Sequence, residues 1–307
     1  MSRTALVTGA GGFVGPHLVR ELRAHGWSVV TTDRGPRPDS LPADVEHVAA
    51  DLCEPASLSG IADIDAVVHL AGLSRVAESF TEPQRYLQVN TAALTTVAEE
   101  LLRRGSGARV LVISTGALYD TSRPGPLSED AALACASPYA VSKAAMEHQV
   151  DYYVRRGLDA VVVRPFNHIG PGQGPGFLLG DLVAGLRAIR GSDAPLVVGD
   201  LDTARDYTDV RDVCRAYRLL LEADALPHRV FNVCSGTPTT GRALLAELVA
   251  AGGFPTPTLQ VDPARVRPTD PRVVAGDAGR LHAATGWKPE RTVADSVRDL
   301  VALSLRG

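Results

Sequence analysis

The chain has 307 residues, of which 45% are hydrophobic and 21% are charged, and its formal net charge is −4. These values are typical of a globular protein with a sizeable core in one large unit or two domains. They do not support nucleic acid or a membrane surface as a partner, because either would favour a basic chain.

Four absences in the sequence bear on location and on metals. No apolar run approaches the roughly 18 residues of a membrane-spanning helix, and the first residues show no signal-peptide pattern, so a cytoplasmic location is expected. The four cysteines form no C-x-x-C pair, which predicts free thiols in a reducing compartment. The eight histidines form no ligand-spaced cluster, so no metal site is expected.

The first half of the chain alternates short apolar runs with amphipathic stretches. Continuous apolar runs flanked by helices predict parallel strands that are buried on both faces. The alternation therefore predicts a doubly wound α/β fold of the Rossmann type. The predicted elements are strands at 4–8, 27–33, 45–50, 66–70, 109–115 and 160–164, and helices at 12–25, 83–103 and 137–156.

The pattern changes after Pro165. The stretch 169–177 is rich in glycine and proline, the stretch 200–208 is polar, and the stretch 255–271 is rich in proline, so loops or irregular structure are predicted there. The remaining predicted elements are helices at 178–190, 209–221 and 240–251 and a strand at 229–234. We expect one domain over 1–164, to which 209–234 returns, and a smaller α/β region over 165–307.

A glycine-rich segment, Thr8-Gly9-Ala10-Gly11-Gly12-Phe13-Val14-Gly15, joins the first strand to the first helix. Its glycines permit a tight turn, close approach of the backbone to a ligand and close packing of the helix. The helix N-terminus also offers free N–H groups and the positive end of the helix dipole to a pyrophosphate. The segment therefore predicts a dinucleotide site formed by Gly9, Gly12, Phe13, Val14 and Gly15.

Residues at three further strand ends complete this predicted site. A carboxylate at Asp33 can accept hydrogen bonds from an adenosine ribose, which favours NAD, whereas Arg34 could hold the 2′-phosphate of NADP. A turn or cap role for Asp33 stays open. The cofactor is therefore NAD or NADP, with a slight preference for NAD. The other candidates are Asp51 and Leu52, expected near the adenine, and Leu70, Ala71 and Gly72, expected under the nicotinamide ribose.

A tyrosine and a lysine form the candidate catalytic pair. Ser137 and Pro138 supply a helix N-cap and its first residue. Tyr139 and Lys143 then lie four residues apart on one face of that helix. We expect the ammonium group to lower the pKa of the phenol, which makes it a usable general acid or base.

In their order along the chain, these motifs resemble the extended short-chain dehydrogenases/reductases, and the resemblance covers nearly the whole chain. It rests on the glycine loop, the H-L-A-G turn at 69–72, Thr115, and the Tyr139-x-x-x-Lys143 pair. It implies that Thr115 hydrogen-bonds the reacting sugar oxygen and that Asn90 keeps a kink or a water near Lys143. It also implies that Lys143 holds the nicotinamide ribose, and that a homodimer forms through the helices at 83–103 and 137–156.

Several strings in the second half resemble the GDP-4-keto-6-deoxymannose reductase branch of that family. They are RPFNHIGPGQ at 164–173, VGDL at 198–201, RDYTDVRD at 205–212, FNVCSG at 231–236 and RPTD at 267–270. The implied partner is a nucleotide-diphosphate sugar, bound mainly by residues 165–307. Arg205 and Arg267 are candidates for its diphosphate, because a guanidinium matches phosphate geometry; surface ion pairs are the alternative. The substrate-binding candidates are Ser74, Thr115, Asn167, Arg205 and Arg267.

One difference from the family argues against one of its reactions, the 4,6-dehydration of a nucleotide sugar. Its 4,6-dehydratases carry an Asp-Glu pair after the strand-five threonine, whereas this chain has Gly116 and Ala117, which carry no titratable proton. We therefore predict NAD(P)-dependent reduction of a 4-keto nucleotide sugar, with Tyr139 as the proton donor. A nucleotide-sugar 4-epimerase needs the same residues and is the alternative. A non-catalytic dinucleotide sensor is less favoured, because both Tyr139 and Lys143 are present.

Overall fold

The structure is a computed structural model that describes residues 3–122, 124–266 and 271–304. Arg267, a predicted substrate-binding residue, lies outside these residues. Within the described ranges, no helix is both long enough and apolar enough to cross a membrane.

The described residues form a mixed α/β chain. The strands are β1 (Thr4–Thr8), β2 (Ser28–Asp33), β3 (Glu46–Ala49), β4 (Ala66–His69), β5 (Arg109–Ile113), β6 (Ala160–Pro165), β7 (Asn167–Ile169), β8 (Leu196–Val198), β9 (Ala204–Asp209), β10 (Val230–Val233), β11 (Pro238–Thr240), β12 (Leu259–Val261) and β13 (Val273–Val274). The helices are α1 (Gly15–Ala24), α2 (Val76–Ser79), α3 (Pro83–Arg103), α4 (Pro138–Arg155), α5 (Leu178–Ala188), α6 (Val210–Glu222), α7 (Gly241–Gly252), α8 (Gly279–Thr285) and α9 (Val293–Ser304).

Seven strands form a parallel central sheet in the order β10-β6-β5-β4-β1-β2-β3. The direction of strand succession reverses between β1 and β4, so the carboxyl ends of these two strands flank a crevice where ligands bind in such sheets. The predicted doubly wound α/β fold is confirmed. The division into two domains stays a prediction.

Helices cover both faces of this sheet, because alternate residues of each strand point to opposite sides. In β1, Ala5 and Val7 face the buried cluster that contains residues of α1 and α6. Leu6 between them faces the cluster formed with α3 and α4. A third buried cluster joins α5, α7 and α9.

The second half adds a smaller sheet centred on β9, which pairs with β7, β11 and β13, while β8 pairs with β12. The predicted loop at 200–208 is therefore wrong for 204–208, whereas 200–203 lie outside any strand. Asp206 in β9 is buried, and its carboxylate accepts hydrogen bonds from the N–H groups of Ser235, Gly236 and Gly276. A polar stretch can thus form a buried strand when its side chains are satisfied. The stretch 255–271 likewise contains β12, and so is not wholly irregular.

Candidate active site

The glycine loop shapes the crevice at the end of β1. Gly9 has a φ of +67°, and a Cβ there would lie only 2.7 Å from the Cα of Ala71. A Cβ at Gly15 would lie 2.0 Å from the carbonyl oxygen of Ala10, so a side chain does not fit there. A Cβ at Gly12 would meet only the Gly9 carbonyl, at 3.4 Å, because Gly12 opens toward solvent. The open position before α1 is the space that a pyrophosphate needs.

Asp33 lies beside this loop, at the end of β2. Its Oδ2 accepts a hydrogen bond from the Gly11 N–H at 2.6 Å, and the adjacent Arg34 is exposed. The Asp33 carboxylate therefore lies against the glycine loop, at the strand end where dinucleotide-binding folds of this kind place a residue that contacts the adenosine ribose. Both residues fit the cofactor, and they favour different forms of it.

The turn after β4 borders the other side of the crevice. The Thr8 hydroxyl accepts a hydrogen bond from the Ala71 N–H at 3.1 Å and contacts the His69 Nδ1 at 3.0 Å. Gly72 has a φ of +149°, and a Cβ there would lie 2.7 Å from Asn90 Oδ1. The turn that contains Leu70, Ala71 and Gly72 is thus held against β1 and α3. On the adenine side, Leu52 is buried, and Asp51 accepts a hydrogen bond from the Cys53 N–H.

Asn90 ties this turn to the catalytic helix. Its side chain accepts a hydrogen bond from the Leu73 N–H at 2.7 Å and donates to the Leu73 carbonyl at 3.2 Å. It also donates to the Ser142 hydroxyl at 2.8 Å, and that hydroxyl donates to the Tyr139 carbonyl. The side chain of Asn90 therefore fixes the turn relative to Tyr139.

The local sequence places the tyrosine–lysine pair at the start of α4. Ser137 caps the helix by accepting a hydrogen bond from the Ala140 N–H, and Pro138 is its first residue. Tyr139 and Lys143 are both buried. A side-chain hydrogen bond joins Tyr139 to Thr115, and Lys143 Nζ donates to the Ile113 carbonyl at 2.7 Å. The three predicted catalytic groups thus converge at the end of β5.

Burial controls the protonation of this pair. Burial raises the pKa of Tyr139 to about 12, against a smaller lowering by its hydrogen bond to Thr115. Burial lowers the pKa of Lys143 to about 8, and the charge of Glu147 opposes that change. The expectation that the ammonium lowers the pKa of the phenol is therefore wrong for this structure. With that pKa, Tyr139 is protonated at neutral pH and can act as an acid.

The residue directly after Thr115 has little room for a side chain. A Cβ at Gly116 would lie 3.0 to 3.1 Å from ring atoms of Phe166. The Ala117 N–H donates to the Thr115 hydroxyl at 3.1 Å, which orients that hydroxyl. The site therefore lacks a carboxylate at these positions, and Phe166 occupies space that a side chain on residue 116 would need.

The substrate-binding candidates differ in their exposure and in their hydrogen bonds. Ser74 and Asn167 are exposed, and a side-chain hydrogen bond joins Asn167 to Tyr207. Arg205 donates hydrogen bonds to the carbonyls of Ala204 and Pro271, both at 2.9 Å. The guanidinium of Arg205 is thus held in place by backbone acceptors.

Three side chains at the site were not predicted from the sequence. Tyr86 packs edge-on against the Tyr139 ring, with 6.4 Å between ring centres, and donates its hydroxyl proton to the Arg75 carbonyl at 2.7 Å. The Arg75 guanidinium lies against Gly176 in the glycine–proline segment. Glu147 lies one helical turn beyond Lys143, and this four-residue spacing is the one signal that the sequence offered for it.

Comparisons with known proteins agree with this geometry. A family described as the NAD dependent epimerase/dehydratase family matches residues 5–234. The chain is 37% identical to GDP-6-deoxy-D-mannose reductase of Pseudomonas aeruginosa, over 98% of this chain and 97% of that protein. It is 30% identical to a UDP-glucose 4-epimerase of Azospirillum brasilense, over 96% and 90%. The solved structure of RMD from Pseudomonas aeruginosa complexed with NADPH is 35% identical and matches all of both chains, with a TM-score of 0.85.

Proposed function

Because the chain belongs to the NAD dependent epimerase/dehydratase family, we propose that it reduces the 4-keto group of a nucleotide-diphosphate sugar with NAD(P)H. One observation carries the proposal: Thr115, Tyr139 and Lys143 converge beside the dinucleotide crevice, and the residues after Thr115 supply no carboxylate for an elimination. The 37% identity to GDP-6-deoxy-D-mannose reductase supports a GDP-linked keto-sugar as the first substrate to test.

Each catalytic side chain has a separate role in the reduction. A bound nicotinamide would supply the hydride that converts the carbonyl carbon into a carbinol. Thr115 donates a hydrogen bond to the sugar oxygen on which negative charge develops. Tyr139 gives its phenolic proton to that oxygen, since its raised pKa keeps it protonated at neutral pH. Lys143 stabilises the resulting phenolate and holds the nicotinamide ribose.

The choice between NAD and NADP rests on Asp33 and Arg34. Asp33 Oδ2 is engaged by the Gly11 N–H, which leaves Oδ1 for a ribose hydroxyl. Arg34 is exposed beside it and can pair with a 2′-phosphate. The slight preference for NAD stays a prediction, and the NADPH complex of the Pseudomonas aeruginosa neighbour makes NADPH the second cofactor to test.

We assign substrate binding mainly to the smaller region, 165–307, and cofactor binding to residues 1–164 with 209–234. Arg205 is the described candidate for the diphosphate, together with Arg267, and Ser74 and Asn167 border the sugar. The support for Arg205 is its anchoring by two backbone carbonyls, which aims a preorganised guanidinium. Arg205→Ala should raise the KM for the nucleotide sugar while the KM for NAD(P)H stays unchanged. Equal changes in both constants would contradict the assignment.

A nucleotide-sugar 4-epimerase is the second candidate, supported by the 30% identity to a UDP-glucose 4-epimerase. Such an enzyme oxidises and then reduces the same carbon, so Thr115, Tyr139 and Lys143 would serve it equally. The two activities differ in cofactor use. A reductase consumes NAD(P)H in proportion to keto-sugar, whereas an epimerase leaves the total of reduced cofactor unchanged.

The variant Tyr139→Phe tests the proposed catalytic assignment. We expect kcat with NAD(P)H and a 4-keto nucleotide sugar to fall at least roughly 100-fold, the scale of general acid catalysis, while the cofactor still binds. Tyr152→Phe is the matched control, because Tyr152 lies on the same helix and its side chain is largely exposed. Near-normal turnover by Tyr139→Phe would overturn the assignment.

We also propose a homodimer through α3 and α4. Leu87, Val141 and Tyr152 are large apolar side chains on these helices that are 38%, 44% and 49% exposed, and a second copy could cover them. Light scattering should give the mass of two chains, and Leu87→Asp with Tyr152→Asp should give the mass of one. A monomeric wild-type chain would refute the dimer. The cytoplasmic location stays a prediction.

A further inference from the structure

Three consecutive residues at the end of β5 each contact a different residue on one face of α4. The pairs are Thr115 with Tyr139, Ile113 with Lys143, and Ser114 with Glu147. The three helix residues are spaced by four and therefore share a face. The end of β5 is thus bonded to the catalytic helix at three points. The third point is Glu147, which has no role in the proposed chemistry.

Glu147 is held in one position at this third contact. The Ser114 hydroxyl donates to its Oε1, and Arg164 of β6 donates to both oxygens, at 2.9 and 2.6 Å. The Glu147 and Arg164 side chains are only 12% and 6% exposed. Arg164 is fixed in turn, because it also donates to the Tyr119 hydroxyl at 3.0 Å. The bidentate pair leaves the carboxylate one orientation, one helical turn beyond Lys143.

The groups around Lys143 come from four elements. On its own helix Tyr139 and Glu147 are each four residues away on the same face, and Asn90 on α3 approaches through the turn at Gly72. From β5 Lys143 meets a backbone carbonyl, and from β6 the positive charge of Arg164 is already paired with Glu147. His69 at the end of β4 is neutral, because burial lowers its pKa to about 3. The negative charge that opposes deprotonation of the lysine therefore comes from Glu147.

We propose that Glu147 is a positioning residue of the reduction: its anchored carboxylate keeps Lys143 charged and docked on β5 while Tyr139 transfers its proton. This proposal rests on the proposed function, since it needs Tyr139 and Lys143 to be catalytic. Fold stability alone does not account for the pair. Buried ion pairs are often replaceable by apolar residues without loss of stability.

The variant Glu147→Gln separates a positioning role from a merely structural one. The amide keeps the shape but removes the charge, so Lys143 should lose its proton at lower pH. We expect the alkaline limb of kcat/KM to move down by roughly one pH unit. Activity should then fall about 5-fold near pH 8 and much less near pH 6. Glu147→Asp, which keeps the charge, should restore the position of that limb.

Two further variants test whether a shifted pH profile has another cause than the loss of the Glu147 charge. Glu147→Gln leaves Arg164 buried without its partner, so the double variant Glu147→Gln with Arg164→Gln is measured as well. It should fold and show a downward shift that is smaller than that of Glu147→Gln, because the opposing charge of Arg164 is removed too. Glu100→Gln is the control, because Glu100 is a buried carboxylate on α3 that pairs with arginines at the far end of that helix. Its pH profile should match that of the wild type.

The outcomes distinguish this proposal from the proposed function. A uniform loss at all pH values in Glu147→Gln, or a profile that parallels the wild type in both Glu147 variants, would overturn the positioning role. If Tyr139→Phe stays active, the proposed function itself fails. If Tyr139→Phe is inactive and the Glu147→Gln profile is unshifted, only the positioning role fails.

Discussion

Replacing the buried lysine by methionine should make the protein more stable while it abolishes activity. Burial lowers the pKa of Lys143 from 10.5 to about 8. Each pKa unit corresponds to about 1.4 kcal/mol, so a charged lysine at this position costs the folded state about 3 kcal/mol at neutral pH. Lys143→Met removes that cost and loses the hydrogen bond to the Ile113 carbonyl, worth about 1 kcal/mol. The expected net gain is about 2 kcal/mol.

The pH dependence identifies the cause of the gain. Between about pH 8 and 10.5 the unfolded lysine holds its proton and the folded one has lost it, so the wild type becomes more stable as pH rises. Methionine does not titrate, so the advantage of the variant should shrink over that range. Tyr139, whose pKa is about 12, stays protonated through it.

The assay is urea unfolding of cofactor-free protein at about pH 7 and about pH 9.5, since bound cofactor would stabilise the two proteins unequally. Lys288→Met is the matched control, because Lys288 is the only other lysine of the chain and is exposed. Its free energy of unfolding should stay close to that of the wild type. A Lys143→Met protein that is less stable than the wild type at pH 7, or an advantage that does not change with pH, would refute the reasoning.

Three other substitutions test separate parts of the structure. Gly72→Ala should lower kcat/KM at least about 10-fold, because its φ is unfavourable for alanine and the new methyl group would displace Asn90. Unchanged kinetics would contradict the role of Asn90 in fixing this turn relative to Tyr139. Arg34→Ala should raise the KM for NADPH about 10-fold more than that for NADH, and equal changes would exclude contact with the 2′-phosphate. Asp206→Ala should lower the free energy of unfolding by about 3 kcal/mol in a urea titration, because it leaves several buried N–H groups without an acceptor; a loss below about 1 kcal/mol would show that water replaces the carboxylate.

Local chemistry in the sequence was enough to predict the central sheet and its helices. The helix at Pro83–Arg103 has the bounds that its periodicity predicts. The catalytic helix begins where Ser137 and Pro138 indicate a cap. Apolar strands buried on both faces need no tertiary information to be recognised, because their whole length is hydrophobic.

The strand Ala204–Asp209 could not be predicted in this way. Its buried polar residues are stabilised by N–H groups from segments about thirty and seventy residues away along the chain, as the bonds to Asp206 show. Hydrophobic periodicity carries no information about such distant partners. The same limit explains why the sequence missed the contact between Tyr86 and Tyr139.

The electrostatics of the site illustrate a second limit. The four-residue spacing of Tyr139 and Lys143 places both on one helix face, and from that alone a lowered tyrosine pKa follows. The structure reverses the direction, because both groups are buried and burial is the largest influence on the pKa of each. A sequence gives the spacing of charges, but the depth at which they lie depends on the whole fold.

The transfer of hydride to the sugar tests the central proposal most directly. The protein would be incubated with NADPH or NADH deuterated at the nicotinamide C4 and a GDP-linked 4-keto-6-deoxy sugar, and the product would be analysed by mass spectrometry. We predict one deuterium at C4 of the sugar for each reduced cofactor consumed, and at most about a hundredth of that product with Tyr139→Phe in the same time. Recovery of unchanged keto-sugar while the reduced cofactor is not consumed would contradict reduction.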